Sequence, residues 1–131
     1  MVLDTSAVVA ILQAEPQRDR MLEALTKAPR RLVSAVSVVE AAMVLEGRYG
    51  HAAGADLELF LFDARVEIAP FDSRQAEAAV RAWRKYGKGR HPAQLNFGDC
   101  CVYGLAKATG EPVLQTGDDF PQTDIACVGL P

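Results

Sequence analysis

No long hydrophobic run exists in this chain. Its apolar residues come in short stretches, none near the roughly 20 that cross a membrane. Met1-Val2-Leu3 leads straight into an acid at position 4, with no basic segment, so the start does not read as a secretory signal. The expectation is a cytoplasmic protein with no membrane segment. Cysteine is scarce and badly placed for bridging. Cys100 and Cys101 are adjacent and Cys127 stands apart, an odd count without a Cys-x-x-Cys pair. The only histidines, His51 and His91, are not spaced with a cysteine as zinc ligands would be. Cys100 and Cys101 therefore read as small hydrophobes filling a helix–sheet interface. An excess of basic charge is missing too. A net charge of −3 argues against unselective nucleic-acid binding driven by bulk charge. Internal repeats, low-complexity tracts and a linker to a second domain are also absent.

What is present is enough for one packed core. The chain has 131 residues, half of them hydrophobic and 24% charged, which predicts a single globular domain over 1–131. Short apolar strands are expected at 1–4, 31–33, 66–70, 112–116 and 125–128. Between them fall helical segments at 7–13, 17–28, 34–48, 56–64, 75–86 and 98–109. Thr5 or Ser6 is expected to cap the first helix, Ser34 or Ser37 the third, Asp72 or Ser73 the fifth and Asn96 the sixth. Strands alternating with helices predict an α/β domain with a mainly parallel sheet of about five strands and helices on both faces. In such folds ligands bind beyond the carboxyl ends of the strands.

Four acids stand where apolar segments end or turn: Asp4, Glu40, Asp99 and Asp118. Each has an ordinary explanation. Asp4 ends a strand. Glu40 lies three residues after Ser37 and completes a capping box there. Asp99 lies three after Asn96, where a carboxylate suits the helix dipole. Asp118 and Asp119 suit a turn. As a set they say more. Carboxylates converging on one rim repel unless a cation joins them, and hard oxygen donors without Cys or His suit Mg²⁺. A divalent ion held by carboxylates is a means of hydrolysing a phosphodiester.

The acids stand in the motifs Val2-Leu3-Asp4-Thr5-Ser6-Ala7, Ser37-Val38-Val39-Glu40-Ala41, Leu95-Asn96-Phe97-Gly98-Asp99-Cys100 and Leu114-Gln115-Thr116-Gly117-Asp118-Asp119-Phe120, followed by Thr123-Asp124-Ile125 near the end. These motifs resemble those of PIN-domain ribonucleases, specifically the VapC toxins of type II toxin–antitoxin systems. The resemblance runs over essentially the whole chain. It implies a three-layer α/β/α PIN-like fold and metal-dependent RNA cleavage. Asp4, Glu40, Asp99 and Asp118 are then the catalytic and metal-binding acids, with Mg²⁺ as cofactor and Mn²⁺ as a substitute. Ser6 and Asp119 are supporting residues. Asp118 ranks before Asp119 because it stands two after Thr116, as in the family's Thr-x-Asp pattern.

A basic strip gains meaning beside these acids: Arg81, Arg84, Lys85, Lys88, Arg90 and His91. Lys88 and Arg90 lead into the segment bearing Asp99 and are the expected contacts to RNA phosphates. Tyr86 or His91 offers a ring for a base, although Tyr86, Trp83 and Phe97 are expected chiefly to pack. The resemblance further implies a cognate VapB-type antitoxin and a homodimer. The apolar region 38–61, with Met43, Val44, Leu59, Phe60 and neighbouring Phe62, is expected to supply the antitoxin groove, the dimer contact or both. Two alternatives remain at this level. One is a PIN-like binding module without turnover. The other is an aspartyl phosphatase with Asp4 as nucleophile, in which Ser6 occupies the place of the second acid.

Overall fold

The computed structural model describes all 131 residues. Four strands form one parallel sheet in the order β3-β2-β1-β4, with β1 Val2–Leu3, β2 Leu32–Ser34, β3 Glu67–Ala69 and β4 Val113–Leu114. Register is simple: Val2 pairs with Leu32 and Val113, and Leu3 pairs with Val33 and Leu114. Successive side chains on a strand point to opposite faces. Leu3, Val33 and Leu114 therefore enter one core, and Val2, Leu32 and Val113 enter the other. Buried on both faces, these strands need the continuous apolar runs that the sequence has.

Helices α1 Thr5–Leu12, α2 Arg18–Lys27, α3 Ala35–Tyr49 and α4 Ala52–Asp63 pack on the first face. Helices α5 Ser73–Tyr86 and α6 Phe97–Thr109 cover the second. The expected three layers are present, and no helix is long and apolar enough to cross a membrane. Backbone approach is tight on the second face, where a Cβ on Gly104 of α6 would meet the carbonyl oxygen of Gln75 on α5 at 2.5 Å.

Some expectations change. The sheet has four strands rather than about five. The segment 125–128 meets β4 through a single bridge, Cys127 to Val113, with two backbone hydrogen bonds of 2.9 Å. It is held mainly by side chains: Asp124 accepts from Tyr103 Oη at 2.7 Å and from Lys107 Nζ at 2.6 Å. Helix α1 is capped by Asp4 itself, not by Thr5 or Ser6. Helix α3 is capped by Ser34, so Ser37 lies inside it, and the capping box between Ser37 and Glu40 does not form. Helix α4 begins at Ala52, four residues before its expected start at Asp56. Gly54 therefore lies inside α4, where a Cβ on it would run into the Glu46 side chain of α3.

Candidate active site

Because the strands run parallel, β1 and β4 release their chains at the same rim. Asp4 follows β1 directly, and its N–H donates to Leu114 O of β4 at 3.0 Å. Its carboxylate accepts from Ser6 N at 3.0 Å through Oδ2, which caps α1. Only 6% of Asp4 is exposed. Ser6 in turn accepts a hydrogen bond from Thr116 N at 3.1 Å through Oγ, tying the start of α1 to the chain leaving β4.

Asp99 arrives from the opposite face on the first turn of α6. Asn96 Oδ1 accepts from Asp99 N at 2.9 Å, and Asp99 Oδ2 accepts from Asn96 N at 3.0 Å. The capping box expected of these two residues is complete. Glu40 comes from α3, and its Oε1 accepts the Thr5 hydroxyl of α1. It lies against the start of α6, where a Cβ on Gly98 would stand 2.8 Å from Glu40 Cδ. A side chain at position 98 would force the Glu40 carboxylate to shift. Neither Thr5 nor Gly98 was singled out as functional. The available signal was position alone, each being the immediate chain neighbour of a site acid.

These three acids are all anchored. Glu40 and Asp99 each give one oxygen to a donor of the protein, and Asp4 is held by Ser6 through both its backbone N–H and its side chain. Their charges also feel one another. Burial, helped by repulsion from Glu40, raises the pKa of Asp4, while hydrogen bonds from Ser6 pull the other way. Asp99 is pushed up to about 6, first by burial and then by the charges of Asp4, Asp119 and Glu40, against a lowering bond from Asn96.

The fourth acid lies in the turn after β4. Gly117 bends the chain at φ +86°, and Gln115 Nε2 braces the bend by donating to Gly117 O at 3.1 Å. Asp118 and Asp119 are both exposed. Asp119 begins the short 3₁₀ turn Phe120–Gln122, which buried Phe120 anchors to the core. Its charge is among those raising Asp99, whereas that of Asp118 is not. Asp118 uses its backbone oxygen to accept from Gln122 Nε2 at 3.0 Å.

Do these residues fit a divalent cation? No three of the carboxylates stand close enough together, as placed, to hold an ion between them. Yet the donors are carboxylate oxygens, crowded enough to perturb one another, and such a set matches Mg²⁺ or Mn²⁺. Thiolate ligation is disfavoured. Burial and the Asp99 charge push Cys100 up to about 11, and burial with the Glu40 charge raises Cys101. Both keep their protons at neutral pH and serve as packing, as expected.

The basic residues stand beside this rim. Lys88 and Arg90 are exposed on the turn between α5 and α6, and neither pairs with an acid. Arg90 lies over the Trp83 ring, 4.0 Å from its centroid. Tyr86 is buried, with His91 edge-on at 5.1 Å. Trp83 and Phe97, expected to pack, are instead exposed.

The class defined by this fold and site is a three-layer α/β domain with a parallel sheet and acids gathered at its carboxyl rim. The PIN domain pattern matches residues 1–126. Ribonuclease VapC30 of Mycobacterium tuberculosis is 50% identical over 131 residues, covering 100% of both chains. Ribonuclease VapC of Mycolicibacterium smegmatis is 48% identical over 128 residues, 98% of this chain and 99% of that one. Among solved structures, the sarcin–ricin-loop-cleaving toxin VapC20 of M. tuberculosis superposes with a TM-score of 0.79 at 19% identity, over 99% of this chain and 98% of that one. VapBC2 of Rickettsia felis, bound to a promoter DNA fragment, gives 0.72 at 18% identity over 96% and 94%. At those identities the structures establish the fold alone. The chain belongs to the PIN-domain family, among its VapC ribonucleases.

The raised acids give a signed prediction for the metal-free protein. A carboxyl whose folded pKa exceeds its unfolded value binds more protons when folded, so stability falls as pH rises through that window. For Asp99 the window runs from 3.8 to about 6. Asp124 works in the other direction. Burial opposes its ionisation, but bonds from Lys107 and Tyr103 outweigh that and hold it below its ordinary value, so its contribution is lost only in stronger acid. Urea unfolding in EDTA is expected to give a higher midpoint at pH 5 than at pH 7. Asp99→Asn is expected to flatten this difference.

Proposed function

We propose that this protein is a Mg²⁺-dependent endoribonuclease toxin of the VapC type, acting in the cytoplasm as one PIN-like domain over 1–131. The observation that carries the reading is the gathering of Asp4, Glu40 and Asp99, each anchored by a hydrogen bond from the protein and near enough that the charges of Asp4 and Glu40 raise Asp99. These three, with Asp118 in the turn beyond β4, are the proposed metal-binding and catalytic acids. Asp119 stands beside them as the acid whose charge reaches Asp99, and we assign it a share in the fourth position. Mn²⁺ is expected to substitute.

A divalent ion held there supplies an activated water and offsets charge developing on the phosphate. The chain's own residues do the rest. Ser6 and Thr5 hold Asp4 and Glu40 in place, and the Asn96 capping box holds Asp99. Lys88 and Arg90 bind phosphates of the RNA and draw it across the acidic rim, which a net charge of −3 would otherwise repel.

The α3–α4 side suits a protein partner. Met43 is 71% and Phe62 82% exposed. A groove of about 610 Å³ opens between the end of α1, α3 and α4, lined by Leu45, Tyr49, Leu59 and Phe60 with Asp56 and Asp63 at its edge. We assign this side to a VapB-type antitoxin, the homodimer contact or both. The Rickettsia felis neighbour is itself a VapBC assembly, which supports the assignment.

The phosphatase alternative loses its footing, because Ser6 both occupies the second acid's place and is bonded to Thr116 N. An inert PIN-like module remains the second reading, and carboxylate-dependent Mn²⁺ binding separates the two.

Purified protein is expected to cleave single-stranded RNA with Mg²⁺ and to stop in EDTA. Asp99→Asn should be slower by at least about a hundredfold, since losing even an outer-shell partner of a metal ligand costs 10- to 100-fold. Equal cleavage by both proteins with and without chelator would reject the reading. Replacing Lys88 and Arg90 together by Ala is expected to weaken RNA binding and to flatten its dependence on salt, by a slope of about 0.7 for each phosphate no longer neutralised. An unchanged slope would remove these two residues from the interface.

A further inference from the structure

Beside the acidic rim, between α5 and α6, lies a recess of about 430 Å³ that the metal chemistry does not use. Three large apolar residues surround it and still face solvent: Phe97 at 77% exposed, Val80 at 45% and Trp83 at 44%. Packing does not explain Phe97. It occupies the first position of α6, a helix already capped by Asn96, and so little of it is covered that the core gains almost nothing from the ring. Its place along the chain is more telling, since Phe97 stands two residues from Asp99.

The recess is also lined by Cys100 and Cys101, both buried. Its edge is polar and donates. Lys88 lines it and pairs with no acid. Asn96 also lines it, and its Oδ1 is committed to Asp99 N, which leaves the Nδ2 amide without a partner in the protein. Arg90 covers the Trp83 ring from outside. Aromatic faces, an amide donor and unpaired cations next to a phosphodiester-cleaving rim are the elements that grip unstacked nucleotides.

We propose that this recess is a nucleobase subsite. Phe97 and Trp83 stack the base of a nucleotide flanking the scissile phosphate, Asn96 Nδ2 donates to that base's edge, and Lys88 with Arg90 holds the adjoining phosphates. The occupant is a base of the RNA substrate rather than a protein segment, because the cations around the opening complement phosphate and Asn96 on its lining is hydrogen-bonded to Asp99. The proposal rests on the ribonuclease reading.

The test uses one short single-stranded RNA oligonucleotide that the wild-type protein cleaves at a mapped position with Mg²⁺. Each nucleotide flanking the scissile phosphate is made abasic in turn, and kcat/KM is measured for wild type, Phe97→Ala and Phe97→Tyr. For wild type, one abasic substitution is expected to lower kcat/KM at least about fivefold, the low end for losing a base–aromatic stack. Phe97→Ala should show that loss already on the intact oligonucleotide and lose nothing more on the abasic one. Phe97→Tyr should behave as wild type, and the solution mass of all three should agree. Additive losses, wild-type kinetics in Phe97→Ala, or a halved mass in Phe97→Ala (a contact between copies instead) would each overturn the subsite while leaving the ribonuclease reading in place. Failure of the wild type to cleave any RNA would overturn the ribonuclease reading and the subsite with it.

Discussion

Asp4 carries its carboxylate at the end of an interior strand with 6% of its surface exposed. Removing such a charge from water is costly unless hydrogen bonds or an opposite charge compensate. The Ser6 N–H and the start of α1 compensate in part. Glu40 then adds charge of the same sign. The metal-free protein can relieve the strain only by holding protons, which is what the raised Asp4 and Asp99 express. A divalent cation relieves it without protons. The rest of the rim follows from that unfinished compensation: the braced turn after β4, the glycine that admits Glu40 and the capping box that aims Asp99.

Capping and ligation do not compete here, because each carboxylate has two oxygens. The helix starts of α1 and α6 demand an acceptor, and Asp4 and Asp99 meet the demand with one oxygen each. The same bond fixes where the second oxygen sits. Preorganisation of the acids thus comes from ordinary helix-end chemistry on two elements that the sheet brings to one edge. Glu40 is the exception. It rises from within α3 and owes its place to the Thr5 hydroxyl and to the missing side chain of Gly98.

Much of this could be read before folding was considered. Alternating short apolar strands and helices marked the α/β class, whereas the parallel pairing of β1 with β4, which puts Asp4 and the 117–119 turn on one rim, came from the structure. What could not be read depended on contacts distant in sequence. The apolar content of 125–128 signals burial but not the length of a ladder, and that segment is held by Tyr103 and Lys107 more than by strand pairing. The early start of α4 was hidden because Gly54 within it makes room for Glu46, which lies on another helix. The ranking within Asp118-Asp119 came from a local pattern, whereas which charge reaches Asp99 depends on Phe120 pinning the turn to the core. Phe97 and Trp83 looked like packing residues because composition cannot tell a core aromatic from one left open beside a site.

The central claim is that Asp4, Glu40 and Asp99 meet on one ion together with an acid of the 118–119 turn. Anomalous diffraction from crystals grown with Mn²⁺, collected at the manganese edge, tests it most directly. The account predicts one peak or a close pair at the rim, with carboxylate oxygens of Asp4 and Asp99 at about 2.1 Å, as for small hard cations, and with Asp118 or Asp119 completing the set directly or through water. An absence of density there at saturating Mn²⁺, or an ion held by other residues, would contradict it.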